Sequence, residues 1–373
     1  MRTMKAVVFR GKDHLEIEDR PKPSPGPGEA VIRITTTSIC PTDIKIVRGD
    51  YHVRRDLVLG HEPVGIIDEL GDGLHADYEV GQRVVVGAIT PCGYCFYCLN
   101  GASSQCGGVS GGWRFGHTID GAWAEYLLVP HAAANLAPIP AELSDEDVLL
   151  VPHIFSAGLA GVEAAGVKIG DAVAIFAQGP TGLCATIGAS LRGAALVIAV
   201  DGLADRLLLA RRLGANVTID FHEQDPLEII RRLTAGRGAD VAIEALGQQD
   251  SFETALRAVR AGGTLSSLGV YAGKLVAPTE TLSSGLGDKR ILTTLCPGGR
   301  ERMRRLMALV ASGRVDLTPL LSHRFALDDI HEAIDLVASH RDDVLKVVLH
   351  PAVRRRDRQL EEAFVPQMLD DEA

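Results

Sequence analysis

The chain is short of three things, and each shortage narrows what it can be. Basic residues are the first: 38 Lys plus Arg stand against 48 Asp plus Glu, a net charge of −10, which favours solubility and argues against a general binder of nucleic acid or of anionic membranes. Long apolar runs are the second. No stretch reads as a transmembrane span, and MRTMKAVVFRG leads straight into a strand pattern with no cleavable apolar core, so the expected location is the cytoplasm. Aromatic residues are the third, at 5% beside 40 glycines, a composition that suits an α/β protein with many tight turns. Internal repeats are absent, and 373 residues are enough for two domains with sizeable cores.

Cysteine is also scarce, and the seven present are unevenly placed. Four of them, Cys92, Cys95, Cys98 and Cys106, crowd into one glycine-rich tract with Pro91, Gly93, Gly101 and Gly107 to turn it. That spacing lets a single loop wrap four thiolates tetrahedrally around one zinc ion. A closed all-thiolate shell has no open position, so the expected role is structural. Disulfides or stray core thiols are the competing reading; the acidic composition and the lack of a leader favour reduced sulfur.

The rhythm of the chain changes twice. Up to about residue 150, short β-rich runs (AVVF, AVIRITT, VGIIDEL, RVVVGAI, WAEYLLV) alternate with Pro and Gly clusters, the pattern of a barrel-like, mostly antiparallel region. Strands and helices then alternate: AVAIF at 172–176, LVIAV at 196–200, VTI at 217–219, DVAIEAL at 240–246 and TLSSLGV at 264–270, with amphipathic helices between them. This predicts a parallel, doubly wound sheet. After about residue 298 the pattern is helical and closes on a strand, KVVLH, expected to rejoin the first domain. The last twenty or so residues are charged and weakly amphipathic; the expectation is a solvated tail, with a subunit-bridging arm as the alternative.

The first strand of that sheet runs into Ala177-Gln178-Gly179-Pro180-Thr181-Gly182 and then a helix. Such a turn lets backbone approach a pyrophosphate closely at a helix N-terminus, although Ala177 stands where the usual fingerprint has its first glycine. The next strand ends in Asp201, where a carboxylate can accept ribose hydroxyls and repel a 2′-phosphate. NAD is therefore expected over NADP; Arg206 is read as a solvated helix position rather than as a phosphate partner. In the first region Cys40-Pro41-Thr42-Asp43 follows a strand and Gly60-His61-Glu62 opens another segment. A thiolate and an imidazole from different loops suit zinc, while a buried thiol and a satisfied core histidine are the plainer alternative.

Together, the CPTD turn, GHE, the four-cysteine tract, AxGxxG with its strand-terminal Asp, and Leu295-Cys296-Pro297-Gly298-Gly299-Arg300 resemble the zinc-dependent medium-chain dehydrogenases. Gly112-Trp113-Arg114-Phe115 and the stretch Ile119–Tyr126 are similar to those of tetrameric secondary-alcohol dehydrogenases. The resemblance implies an α/β chain with a GroES-like β-barrel catalytic domain and a Rossmann cofactor domain: 1–155, 156–298, a return over 299–350 and a tail over 351–373. It implies two zinc ions per subunit, NAD, an alcohol or ketone substrate, and a homo-oligomer, tetramer favoured over dimer. Carried over residue by residue, Cys40 and His61 ligate a catalytic zinc acting as a Lewis acid, with Glu62 beside it as an exchanging ligand or support. Thr42 holds the substrate oxygen and passes its proton outward, and Asp43 orients the ligands. Ala88, Trp113, Leu295 and Cys296 line an apolar pocket. Gly179, Pro180, Thr181, Gly182, Asp201, Val270 and Lys346 serve the cofactor.

Three departures stand out. Lys45 replaces a relay histidine, His153 in Val151-Pro152-His153-Ile154-Phe155 replaces a zinc-binding aspartate, and Ala157 replaces a threonine that touches nicotinamide. The expected activity is hydride transfer between a small or medium apolar secondary alcohol and NAD. Polyol, amino-alcohol or formaldehyde-type substrates, and a zinc-stabilised NAD-binding protein without turnover, are the alternatives.

Overall fold

The computed structural model describes residues 2–352 apart from Ala272, His340 and Asp342; beyond Ala352 the tail expected over 351–373 lies outside the described residues. The chain divides into two units: the first takes residues up to Ala88, Trp113–Leu149 and the chain from Thr318 on, the second Ile89–Gly112 and Leu150–Leu317.

The first unit is built mainly of antiparallel strands. Ala30–Ile39 is almost wholly buried, because it pairs with Val64–Leu70, Tyr126–Val129 and the late strand Lys346–His350. KVVLH thus closes on the early sheet, with Val347 opposite Ile39. Branched and aromatic side chains fill the interior, among them Ile32, Ile34, Ile67, Tyr78, Val84 and Phe115, as suits residues that pack well on a pleated surface. A smaller sheet joins Thr3–Gly11 to His14–Pro21 and Leu57–Val58.

The second unit carries six parallel strands in the order Val217–Asp220, Leu196–Asp201, Ala172–Phe176, Ala239–Glu244, Val259–Ser267, Arg290–Thr293. Chain order reverses at Ala172–Phe176, so the crevice beyond its C-terminal end is where such a sheet receives a ligand. The five strands read from sequence are all present, Ala172–Phe176 with the bounds expected and the other four with ends shifted by one to five residues. Arg290–Thr293 escaped notice because it is the edge strand, mostly exposed, and carries too little apolar pattern to read.

Two boundaries differ from expectation. The four-cysteine tract groups with the nucleotide-sheet unit rather than with the barrel: Gly298 N donates to Ser103 Oγ at 3.1 Å, and a Cβ at Gly298 would lie 2.6 Å from Ile89 O. The return comes at Thr318 rather than 299, because Arg302 on the helix Arg300–Ala311 pairs with Glu163 and donates to Ser156. The helical run Asp145–Ala165 is long and apolar enough to cross a bilayer by length and composition, against the expectation that no stretch would be. Of its most apolar 18-residue window, 78% is buried inside the chain, as in a core helix.

Candidate active site and cofactor turn

Cys40 ends its strand and caps the helix Pro41–Val47. Its backbone N–H donates to Asp43 Oδ2 at 2.9 Å, so the turn that presents the thiol also fixes the carboxylate. Asp43 Oδ1 lies 3.1 Å from His61 Nδ1. With Nδ1–H donating to the carboxylate, the lone pair sits on Nε2, the usual way of setting a ligand histidine's tautomer and ring orientation. Burial alone would lower the His61 imidazole; the charge and hydrogen bond of Asp43 outweigh it, and the metal-free ring titrates well above the ordinary value.

Glu62 follows His61 and is fully buried. The donor atoms of Cys40, His61 and Glu62 lie within 4.8 Å of one another. Gly60 makes this approach feasible: at φ +87° it packs against Trp123, whose Cδ1 would be 2.3 Å from a Cβ there. Trp123 Nε1 donates to Ser38 O at 3.1 Å, and the Ser38 hydroxyl donates to Glu62.

Lys346 corrects one expectation. Predicted to meet cofactor phosphate or ribose, it is wholly buried in the strand Lys346–His350, its Nζ 2.5 Å from Glu62 Oε2 in an ion pair whose angle falls short of a hydrogen bond. A carboxylate taken out of water needs a counter-charge, and here the closing strand supplies it. Burial lowers the lysine and the charge of Glu62 raises it, with a net rise that keeps it cationic. Nothing in the local sequence signals this pair, since the partners are 284 positions apart.

Around these groups lies an aromatic cluster that sequence reading missed except for Trp113. The Trp113 ring stacks on His117 with centroids 4.6 Å apart, packs against Tyr51 at 5.3 Å and meets the His61 ring edge-on at 5.8 Å. Ala88 is buried in the same unit, and Thr42 Oγ1 lies 3.6 Å from Cys40 Sγ. Lys45 is half-buried on the Pro41–Val47 helix.

In the second unit, His153 sits in a π-turn, Val151–Phe155, and its carbonyl is 3.4 Å from Cys296 Sγ. Cys296 is buried, Leu295 half-buried. The four cysteines of the tract come together there: Cys92 and Cys98 Sγ are 4.0 Å apart, Cys95 and Cys106 Sγ 3.9 Å, and all four donor atoms fall within 4.8 Å. All are free thiols, and four sulfurs so placed fit a tetrahedral thiolate site. Without metal they cannot ionise alike: burial pushes Cys106 up to about 12, while backbone donation at Cys98 brings Cys95 down to about 6.

The cofactor turn is tight. Gly179 caps the helix Pro180–Leu191, and Gly182 is obligatory, since a Cβ there would lie 1.8 Å from Ala177 O. Ala177 itself adopts φ +71°, the left-handed region in which its methyl is a burden a glycine would not carry. Asp201 has a use the sequence did not suggest. Oδ2 accepts from Gln178 N at 2.5 Å, and Oδ1 accepts from the amides of Gly202 and Leu203 at 2.9 and 3.0 Å. The carboxylate thereby ties the turn to the end of the next strand. Val270 follows the strand Val259–Ser267 and is exposed.

A buried thiol, imidazole and carboxyl on an antiparallel barrel, joined in one chain to a doubly wound nucleotide sheet and a four-thiol tract, define a zinc-type oxidoreductase. The chain matches the alcohol dehydrogenase GroES-like domain over residues 26–141 and the zinc-binding dehydrogenase domain over 180–312. It is 51% identical over 362 residues to an alcohol dehydrogenase of Cupriavidus necator, covering 93% of this chain and 99% of the relative. It is 36% identical over 335 residues to the NADP-dependent isopropanol dehydrogenase of Thermoanaerobacter brockii, covering 89% and 95%. Among solved structures, the alcohol dehydrogenase TADH from Thermus sp. ATN1 superposes with a TM-score of 0.84 at 33% identity, covering 93% of this chain and 99% of that one. The chain belongs to the zinc-dependent medium-chain dehydrogenase family.

Proposed function

We propose that the chain is an NAD-dependent zinc alcohol dehydrogenase acting on small or medium, apolar secondary alcohols and the matching ketones. The observation that carries this reading is the buried set Cys40, His61 and Glu62 with Asp43 behind the imidazole. The donor set fits zinc, which when bound supplies Lewis acidity toward the substrate oxygen while the nicotinamide takes the hydride. The protein's own part is positional. Asp43 fixes the imidazole, Ser38 and Lys346 hold the Glu62 carboxylate, and Thr42 is the hydroxyl that bonds the substrate oxygen and relays its proton. Lys45 stands in the place of a relay histidine; its amine, or water, would carry the proton outward, and a bound cofactor's ribose would supply a further hydroxyl.

His153 is the third ligand in this reading, and a neutral imidazole suits it. With Cys40 as the one anionic ligand, zinc and its three ligands carry a formal +1, more electrophilic than an aspartate-containing set, which offsets part of the missing relay. His153→Ala should lose one metal equivalent and turnover while binding NAD; full metal content and near-wild-type kcat would reassign the ligand, with Glu62 the first candidate. Ala88, Trp113, Leu295 and Cys296, the pocket residues of this reading, have apolar or weakly polar side chains that would give a polyol little to bond.

NAD preference rests on Asp201, whose charge three amides hold at the strand end, close to where a 2′-phosphate would bring two more negative charges. The T. brockii relative is NADP-dependent, so likeness alone does not decide the matter. The same reading makes the chain a cytoplasmic homo-tetramer with a second, structural zinc in the cysteine tract. Reduced-cofactor absorbance across a panel of secondary alcohols, run with NAD and with NADP, tests the whole. No turnover with any alcohol, or equal kcat/KM for both cofactors, would overturn the activity or the cofactor assignment respectively.

A further inference from the structure

The strand Ala239–Glu244 ends in a carboxylate that has no part in the metal site. Glu244 is fully buried and has no cationic partner among the described residues. Five donors hold it instead. Oε1 accepts from Leu246 N at 2.8 Å, Gly247 N at 2.7 Å and Ser251 Oγ at 2.7 Å, and Oε2 accepts from Ser267 Oγ at 3.3 Å and from the Tyr271 hydroxyl. Taking a carboxylate out of water without a counter-charge is costly, and an apolar side chain would close this end of the sheet at less cost.

The five bonds join two loops. Leu246 and Gly247 follow the Glu244 strand, while Tyr271 follows the neighbouring strand Val259–Ser267, and Leu268 N donates to Glu244 O at 2.8 Å. The loops meet backbone to backbone: a Cβ at Gly269 would lie 2.3 Å from Gly247 Cα and 2.6 Å from Glu244 Oε2. Leu246 and Val270 at the crests are exposed, but the anchor beneath them is not. Ala245 N donates to Phe176 O at 3.1 Å, and a Cβ at Gly182 would be 3.6 Å from Ala245 Cβ, so the anchored loops border the cofactor turn. Asp201 lies at the adenosine side of that turn in the NAD reading. A dinucleotide crossing it lays its nicotinamide half on the opposite side, where the strands ending in Glu244 and Ser267 come next in the sheet.

We propose that Glu244 is a positioning residue for the nicotinamide half of the cofactor, a role that rests on the dinucleotide reading. It acts through the loops 245–247 and 268–271, which it locks into one wall for that half. Calorimetric titration of the full chain with NAD, and with ADP-ribose, which lacks nicotinamide, tests this. Glu244→Leu should weaken NAD by at least about tenfold while ADP-ribose stays within about twofold. Glu244→Gln, whose amide oxygen still accepts from both backbone N–H groups, should hold NAD within about threefold of wild type. Ser251→Ala/Tyr271→Phe removes two hydroxyl donors and keeps the ring of residue 271 against Phe252. It serves if Glu244→Leu does not fold, and should weaken NAD by about threefold or more, again sparing ADP-ribose. Unchanged NAD affinity in this double variant, or equal weakening of NAD and ADP-ribose in every variant, overturns the role. Wild type that binds neither ligand overturns the dinucleotide reading and this role with it, a failure told apart because it needs no variant.

Discussion

The two thiolate-bearing sites are built by opposite strategies. The four-cysteine tract is one loop of fifteen residues, 92–106, turned by its own glycines at positive φ and half open to solvent; its sulfurs meet because the sequence puts them close. The Cys40 site is buried almost completely and drawn from separate elements: a strand end, a loop after Gly60 and, through Lys346, a strand near the end of the described chain. Each of its groups is held by another: Asp43 on the imidazole, Ser38 and Lys346 on the carboxylate. A local site needs only its own spacing, whereas an assembled one needs the fold around it, and damage to the two should differ in kind.

The largest effect is expected at the assembled site. His61→Ala should cut turnover by about a thousandfold or more and remove one metal equivalent, leaving the tract's metal in place; metal analysis beside kcat checks both. Loss of both equivalents would mean that the two sites are not independent. Next comes Lys346→Met, which strands Glu62 as a buried, unpaired carboxylate and should cost about 3–5 kcal/mol in denaturant unfolding. Adding Glu62→Gln should recover much of that, and a double variant no better than the single would deny the pair its place in the fold.

Cys98→Ser tests the local site. It should release the tract's metal and open the loop to proteolysis, while turnover falls by no more than about tenfold, since a closed thiolate site offers substrate no position. The smallest effect belongs to a clamp remote from both. Glu146 on the helix Asp145–Val148 is hydrogen-bonded by Arg324, which holds its carboxyl below the ordinary value. A lowered carboxyl stabilises the fold above its unfolded value, near 4.5, and loses that contribution as pH falls through the folded one. Glu146→Gln should therefore cost at most about 1 kcal/mol at pH 7 and nothing once pH drops well below 4.5; a Tm difference that persists in acid would contradict this.

What the sequence disclosed follows the same division. The fold class and five of the six parallel strands were legible because period and turn chemistry are local; Arg290–Thr293 was not, lying exposed at the sheet edge. The cysteine tract was readable from spacing alone, and Cys40 and His61 only through likeness to a family, since twenty-one positions separate them. Contacts over long separations left no trace: Lys346 with Glu62, Ser38 under Trp123, and Tyr51 beside Trp113. Asp201 was visible as a residue, but its three backbone partners were not, because they depend on how two strand ends meet.

The two tryptophans of the chain have an optical consequence. Trp113 meets the His61 ring edge-on, and Trp123 packs on Gly60 and bonds Ser38, whereas the nucleotide-sheet unit contains no tryptophan at all. Indole emission therefore originates entirely in the barrel, within a residue or two of the Cys40 site. It offers a label-free gauge of metal loading there, and a way to watch the barrel melt separately from the sheet by setting emission against far-ultraviolet dichroism.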